Sequence, residues 1–299
     1  MPSGRVEGCA IERDRGRGTT GTDPGTFGSS LAGFPVSLSP LSLSPPSPMD
    51  AMILAAGLGT RLRPLTNHTP KALVEVADVP MLERVAQRLL AAGADRIVVN
   101  VAHLGEKVEA YVRAADWRTP SGEPVETVVS HEPDGPYETG GGLKYAAGFF
   151  RRTAPFLVHN ADILTSVDLA ALHARQLATP DALATLAVAP ATTDRYLLVD
   201  DGGLLGYAYG GEEHTKRDAT GEIRRVDFCG AQACAPALLD ELAAVEDQTF
   251  SVMTTYLRLA QEPGRVLVYE GDPPNRFLDV GTPERLAEGT AAVERGDFA

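Results

Sequence analysis

The sequence predicts an α/β fold, a Rossmann-like, mainly parallel mixed sheet flanked by helices, on three observations. Short apolar runs recur from Ala51 onward and stop at glycine or a polar residue, as strands buried on both faces do. Stretches with helical spacing alternate with them. The runs end in glycine-rich or carboxylate-bearing segments, and the ends of strands are where open α/β sheets hold ligands.

Ala51–Ala56 is the first expected strand. Pro80–Gly93 has helical spacing, with proline at its start and glycine at its stop. Ile97–Val101 is a strand, Leu104–Ala114 a helix and Val125–Val129 a third strand. A helix over Gly142–Phe150 and a strand over Phe156–His159 follow. The later half is less regular. Strands are expected at Ala184–Ala189, Tyr196–Val199, Leu204–Tyr209 and Ile223–Phe228, with Asp201-Gly202-Gly203 as a turn between two of them. Helices are expected at Pro236–Val245 and Val252–Gln261, short strands at Val266–Tyr269 and Phe277–Val280, and a closing helix at Pro283–Glu294. No internal repeat is present and no hexapeptide-repeat tail follows, so no C-terminal β-helix is expected.

The first 48 residues differ from the rest. They are rich in Gly, Ser, Pro and Thr and lack a helical or strand period. Such a segment buries too little apolar surface to offset its ordering entropy, so it reads as disordered. Acidic residues interrupt its basic start and Ser and Pro punctuate its apolar residues, unlike a signal peptide. A disordered extension that stems from a mis-assigned start codon, with Met49 or Met52 as a sensible start, is the expectation.

Composition narrows the function. The chain has 299 residues, 43% of them hydrophobic, and a net charge of −13. That balance argues against non-specific nucleic-acid binding, which needs a basic face. No apolar run reaches the ~18–20 residues of a membrane span. Cys9, Cys229 and Cys234 form neither a disulfide framework nor a zinc pattern, so free thiols in the cytoplasm are expected.

After the first strand comes Ala55-Ala56-Gly57-Leu58-Gly59-Thr60-Arg61-Leu62-Arg63-Pro64-Leu65-Thr66. Its glycines let the backbone turn tightly and approach a ligand. Free amides there cradle phosphates, and Arg61 adds a planar cation. The spacing is neither that of a P-loop nor Gly-x-Gly-x-x-Gly. Thr69-Pro70-Lys71 follows and brings a point charge near the loop.

The pattern Ala-Ala-Gly-x-Gly-Thr-Arg-Leu-x-Pro-Leu-Thr with a following Pro-Lys resembles the sugar-1-phosphate nucleotidyltransferase family, from about Met52 to the end of the chain. The resemblance implies a glycosyltransferase-A-like nucleotidyltransferase fold. It implies one domain over 49–299, with a nucleotide-binding half over about 51–165 and a sugar-binding half over about 166–299. It assigns Ala55, Ala56, Gly57, Gly59, Thr60, Arg61, Lys71 and Gly135 to the nucleotide, with Arg61 and Lys71 the catalytic cations.

A second glycine cluster reads Pro133-Asp134-Gly135-Pro136-Tyr137-Glu138-Thr139-Gly140-Gly141-Gly142. Three glycines before a helix allow close backbone approach to something flat or bulky. The cluster looks like that of the short branch that makes UDP-N-acetylmuramate. The family likeness assigns Glu138, Thr139, Gly140 and Gly230 to the sugar, the last in a Phe228-Cys229-Gly230 turn.

Asp162 ends the Phe156–His159 strand region, and Asp279 precedes a glycine turn. A strand-end aspartate alone is commonly a cap. The resemblance marks both as ligands of Mg²⁺, which takes one or two carboxylates and completes its shell with phosphate and water. The family usually has Asn-Gly-Asp at the first site, where Ala161 replaces the glycine; its methyl group is a source of crowding against the nucleotide. His159 alternates with Val158 and is expected in the core or at its rim. The Glu-Lys-Pro that holds the sugar phosphate in longer relatives is absent, leaving Lys216 and Arg217 as candidates.

The implied reaction joins a nucleoside triphosphate to a sugar 1-phosphate, with Mg²⁺ as cofactor, pyrophosphate as the second product, and neither nucleic acid nor membrane as partner. UTP and N-acetylmuramate 1-phosphate are the favoured pair. A mannose- or heptose-1-phosphate guanylyltransferase and an inactive regulatory protein on the same fold are the alternatives.

Overall fold

The computed structural model describes residues 48–298, so the expected disorder of the first 48 residues lies almost wholly outside the described residues. In chain order the elements are β1 (Asp50–Leu54), β2 (Glu75–Val76), β3 (Val79–Pro80), α1 (Met81–Ala91), β4 (Arg96–Val101), α2 (Gly105–Ala114), β5 (Glu126–His131) and α3 (Glu138–Ala146). Then come β6 (Phe156–Asn160), β7 (Ile163–Thr165), α4 (Leu169–Leu177), β8 (Ala184–Pro190), β9 (Leu197–Asp200), β10 (Gly203–Tyr209), β11 (Glu212–Thr215) and β12 (Arg224–Cys234). The last are α5 (Leu238–Ala243), α6 (Val252–Leu259), β13 (Val266–Tyr269), β14 (Phe277–Asp279) and α7 (Pro283–Glu294).

The main sheet runs β11-β10-β9-β12-β6-β1-β4-β5, with β8 against β12 and β13 against β8. The part β6-β1-β4-β5 is parallel. β12 joins β6 antiparallel and leads into the hairpins of the later half. The chain leaves β1 for β4 and β5 on one side, then crosses to β6 on the other. The order therefore reverses between β1 and β6, and a crevice opens there at the strand ends. The glycine loop follows β1, and Asp162 follows β6. Topology puts both at that crevice before any side chain is considered.

Alternation within the strands fills both faces. Ala51 and Ile53 of β1 with Ile97 and Val99 of β4 join the cluster under α1, α2 and α4. Met52 and Val98 join the cluster under α3, α5 and α6. α1 buries Met81, Leu82, Val85, Ala86, Leu89 and Leu90 along one stripe, and Gly93 ends it at φ 104°.

Five elements were not expected: the two-residue strands β2 and β3, and α4, β7 and β11. α4 carries its own signals, an Asp168 cap accepting from the Ala171 amide at 2.9 Å and buried Leu169, Leu172 and Gln176. β7 is too short for a periodic signal, and its partner β14 lies far along the chain. β11 is exposed throughout, so it has no alternation to read.

The third helix is a correction. It begins at Glu138, not Gly142, so the three glycines lie inside it instead of before it. A Cβ on Gly140 would strike the Phe250 ring, one on Gly141 the Gln248 carbonyl, and one on Gly142 the Asn100 amide. What approaches these glycines so closely is the protein itself. The Gly140 amide donates to the Phe250 carbonyl at 2.9 Å, which docks the 248–250 segment on the helix.

Candidate active site

The first glycine loop is shaped by Gly59, which sits at φ 62° where a side chain is strained. A Cβ there would also lie 2.9 Å from Thr66 Cγ2 and 3.1 Å from Lys71 Cβ. Thr66 Oγ1 donates to the Gly59 carbonyl at 2.7 Å and holds the turn closed. Among the described residues, the amides of Gly57, Leu58, Gly59 and Thr60 donate to no protein acceptor. Gly57, Leu58 and Thr60 are exposed, so this stretch is a row of donors facing outward. Ala55 and Ala56 are buried at its base.

The Ala55 amide donates to Asn100 Oδ1 at 2.8 Å, and Asn100 Nδ2 donates to Glu132 Oε1 at 2.7 Å. Glu132 Oε2 in turn accepts from the Tyr137 amide at 2.7 Å. This buried chain of bonds ties the first glycine loop to the second across the ends of β1, β4 and β5. Sequence reasoning missed Asn100 and Glu132; a polar residue set inside the apolar run Ile97–Val101 was the available signal for the first.

Two ion pairs form the centre. Lys71 Nζ pairs with Asp162 Oδ2. Arg61 Nη2 lies 3.5 Å from Asp279 Oδ2. The first pair is enclosed, with side chains 13% and 23% exposed; the second is open, at 61% and 38%. An exposed pair at that distance contributes little, so Arg61 is free to turn towards a ligand. The β7–β14 pairing sets the two aspartates side by side along the backbone: Asp279 is opposite Ile163, and the Val280 amide donates to the Asp162 carbonyl at 3.0 Å.

Gly281 marks the meeting point. A Cβ on it would lie 2.7 Å from Asp279 Oδ1, 2.8 Å from Arg61 Nη2 and 3.1 Å from Lys71 Nζ. Its amide donates to Asp279 Oδ1 at 2.8 Å. Loop, cation and carboxylate, read separately along the chain, thus converge on one point. Gly281 was not singled out from sequence.

Ala161, expected as a source of crowding, is buried in the core cluster, with its amide on the Leu54 carbonyl at 3.0 Å. Gly230 sits at φ 72° on an irregular stretch of β12, against Ile163 beside Asp162. Gly135 packs on Glu132, and its amide donates to the Glu132 carbonyl at 3.3 Å. Glu138 is exposed at φ 60°, an uncommon conformation for a residue with a side chain. Thr139 Oγ1 accepts from the Val252 amide at 3.0 Å, near the start of α6.

A cleft of about 1280 Å³ opens from Arg61 and Asp279 along Phe228, Asp227, Tyr196 and Tyr209. His159 is in the core as expected, and burial pushes its imidazole down to about 4. Arg217 is no ligand-facing cation. Its side chain is buried against Asp200, with Nη2–Oδ1 at 2.6 Å. Lys216 lies over the Tyr207 ring at 5.4 Å. Cys229 and Cys234 are buried free thiols, and burial pushes both up to about 12.

Residues 50–196 match the model of the Nucleotidyl transferase family. The chain is 35% identical over 250 residues to the N-acetylmuramate alpha-1-phosphate uridylyltransferase of Caulobacter vibrioides, covering 81% of this chain and 98% of that one. It is 43% identical over 123 residues to the protein of the same name from Neisseria meningitidis, covering 41% of this chain and 51% of that one. In fold it resembles a UDP-glucose pyrophosphorylase solved with UDP-glucose, with a TM-score of 0.64 at 16% identity over 83% of this chain and 99% of that one. The chain is therefore a member of the nucleotidyl transferase family of enzymes.

Proposed function

We propose that the chain is a uridylyltransferase that joins UTP to N-acetylmuramate 1-phosphate. The observation that carries the reading is the convergence of Arg61, Lys71 and Asp279 on Gly281, with Asp162 paired to Lys71, beside a large cleft that Arg61 and Asp279 line. The likeness to the Caulobacter vibrioides relative over nearly its whole length supports the choice of base and sugar.

In the proposed reaction an oxygen of the sugar phosphate forms a bond to the α-phosphorus. The bond from the α-phosphorus to the bridging oxygen breaks, and its electron pair leaves with pyrophosphate. The attacking oxygen is already anionic at neutral pH, so catalysis is a matter of positioning and charge. The outward amides of Gly57 to Thr60 bind the triphosphate. Arg61 turns from its weak pairing with Asp279 to the departing pyrophosphate. Lys71, held near the centre by Asp162, offsets charge on the reacting phosphate.

Asp162 and Asp279 suit Mg²⁺. They are two hard oxygen donors on neighbouring backbone segments, matching the one or two carboxylates that the ion takes alongside substrate phosphates. No larger acidic or histidine cluster competes for it among the described residues. Bound there, Mg²⁺ would neutralise phosphate charge.

The test is pyrophosphate release, with UTP, GTP, ATP and dTTP crossed against a panel of sugar 1-phosphates. The expected result is strongest turnover with UTP and N-acetylmuramate 1-phosphate. A preference for GTP with a mannose- or heptose-type phosphate would replace the substrates. Silence from folded protein that still binds nucleotide would overturn the enzymatic reading of this site.

A further inference from the structure

Two tyrosines that line the cleft, Tyr196 and Tyr209, each carry an arginine, and the two pairs differ in one respect. Arg225 lies over the Tyr196 ring at 5.8 Å, and its guanidinium pairs with Glu213 at 2.8 Å. Arg195 lies over the Tyr209 ring at 5.7 Å, and no carboxylate among the described residues pairs with it. Asp194, its chain neighbour, is not bonded to it. Asp227, on the same wall, is engaged otherwise: Oδ2 accepts from the Thr192 amide and hydroxyl, both at 2.9 Å.

These contacts give Arg195 a fixed place. Asp227 pins the start of its loop. The Thr193 hydroxyl donates to the Arg195 carbonyl at 3.1 Å and stands 3.3 Å from the Arg195 amide. The face of Tyr209, itself 65% exposed, carries the guanidinium. Both side chains line the cleft. An arginine so held, in a chain of net charge −13, is poised for the planar bidentate geometry of a carboxylate.

Position separates this cation from the reacting phosphates. Tyr209 is on β10, and β9 and β12 lie between it and β6, which leads to Asp162. Three strand spacings amount to roughly 14 Å. The reach of an arginine side chain covers part of that span and a pyranose ring much of the rest. Arg195 therefore meets the part of an acceptor sugar remote from its phosphate.

We infer that Arg195, stacked on Tyr209, binds a carboxylate carried by the acceptor sugar, so that the cleft selects acidic sugar 1-phosphates over neutral ones. This rests on the reading of the site as a sugar-1-phosphate nucleotidyltransferase, and it names the residue that sets the acceptor class.

The test compares kcat/KM for N-acetylmuramate 1-phosphate and N-acetylglucosamine 1-phosphate, which lacks the carboxylate-bearing ether, each with saturating UTP and the full chain. The wild type is expected to favour the acidic acceptor. Arg195→Ala should shrink that preference by about 10- to 100-fold, as for loss of a hydrogen bond to a charged group, mainly through KM for the acidic acceptor. Arg195→Lys should restore part of it, and Tyr209→Leu should weaken it by less than Arg195→Ala. Equal losses on both acceptors, or an unchanged ratio, would overturn the inference. So would a wild type that favours the neutral sugar, or one active only with other neutral sugar 1-phosphates, while the transferase reading stood. A wild type inactive with every sugar 1-phosphate would remove both.

Discussion

The ammonium of Lys71 meets the carboxylate of Asp162 across 91 residues of sequence, and this pair joins the glycine loop after β1 to the strand end of β6. Each partner limits the other. Asp162 fixes the ammonium of Lys71 at the strand end, and Lys71 offsets the charge of a carboxylate that is largely out of water.

Lys71→Ala and Asp162→Asn are therefore each expected to lower turnover by on the order of 10²–10³, the usual loss for one preorganised electrostatic contact. Pyrophosphate release measures it, alongside a thermal melt showing that the variants fold. Near-normal turnover in either variant would take that residue out of the mechanism.

Chelation should separate activity from folding. Asp162 and Asp279 already have cationic partners in Lys71 and Arg61, so neither carboxylate depends on a metal for charge balance. EDTA is expected to abolish pyrophosphate release, and added Mg²⁺ to restore it, with an unchanged melting temperature. A large drop in melting temperature on chelation would mean that a metal supports the fold.

Two glycines should fail in different ways. A Cβ on Gly141 meets the backbone carbonyl of Gln248, which has little room to move. Gly141→Ala is expected to cost about 1–3 kcal/mol or more of stability, as overpacking does. A Cβ on Gly281 instead meets the ends of Asp279, Arg61 and Lys71. Gly281→Ala should keep most of its stability and lose turnover. Urea unfolding and initial rates on both variants check this, and a reversed pattern would contradict the packing.

Acid sensitivity should come first from His159. Burial pushes its imidazole down to about 4, while the unfolded chain takes up a proton near 6.5. Its contribution is thus complete above about 6.5 and lost as pH falls towards 4, on the order of 3 kcal/mol. Urea titrations between those values should show the slope, and His159→Leu should flatten it. An unchanged slope would assign it to another group.

Asp200 acts in a lower window. The Arg217 guanidinium beside it, with the Thr220 and Gly202 amides, holds its carboxyl well below the usual carboxylate range. The resulting stability is present above the ordinary carboxylate pKa near 3.9 and is lost as pH falls below it. Arg217→Ala leaves a buried carboxylate short of its main partner, which should cost about 3–5 kcal/mol near pH 7. That cost should shrink below about pH 4. Denaturant unfolding at both pH values measures it, and a pH-independent cost would point to lost packing.

Local signals in the sequence determined much of this protein. The alternation of apolar runs and helical stretches specified the α/β class, because burial on two faces leaves a direct trace in composition. The Gly57–Lys71 stretch, Asp162 and Asp279 were legible as residue types at strand ends, where backbone amides and side chains are free to meet a ligand. Only the tertiary structure decided what the second glycine cluster does, because Gly140 and Gly141 face the 248–250 segment more than a hundred residues away. It likewise turned Arg217 inward to Asp200, left Arg195 on Tyr209 without a carboxylate, and made Gly281 the point shared by three charged side chains. The division has one physical cause. Secondary structure and strand-end chemistry depend on neighbours within a few residues, whereas burial, close approach and ion pairing depend on which distant segments the sheet order brings into contact.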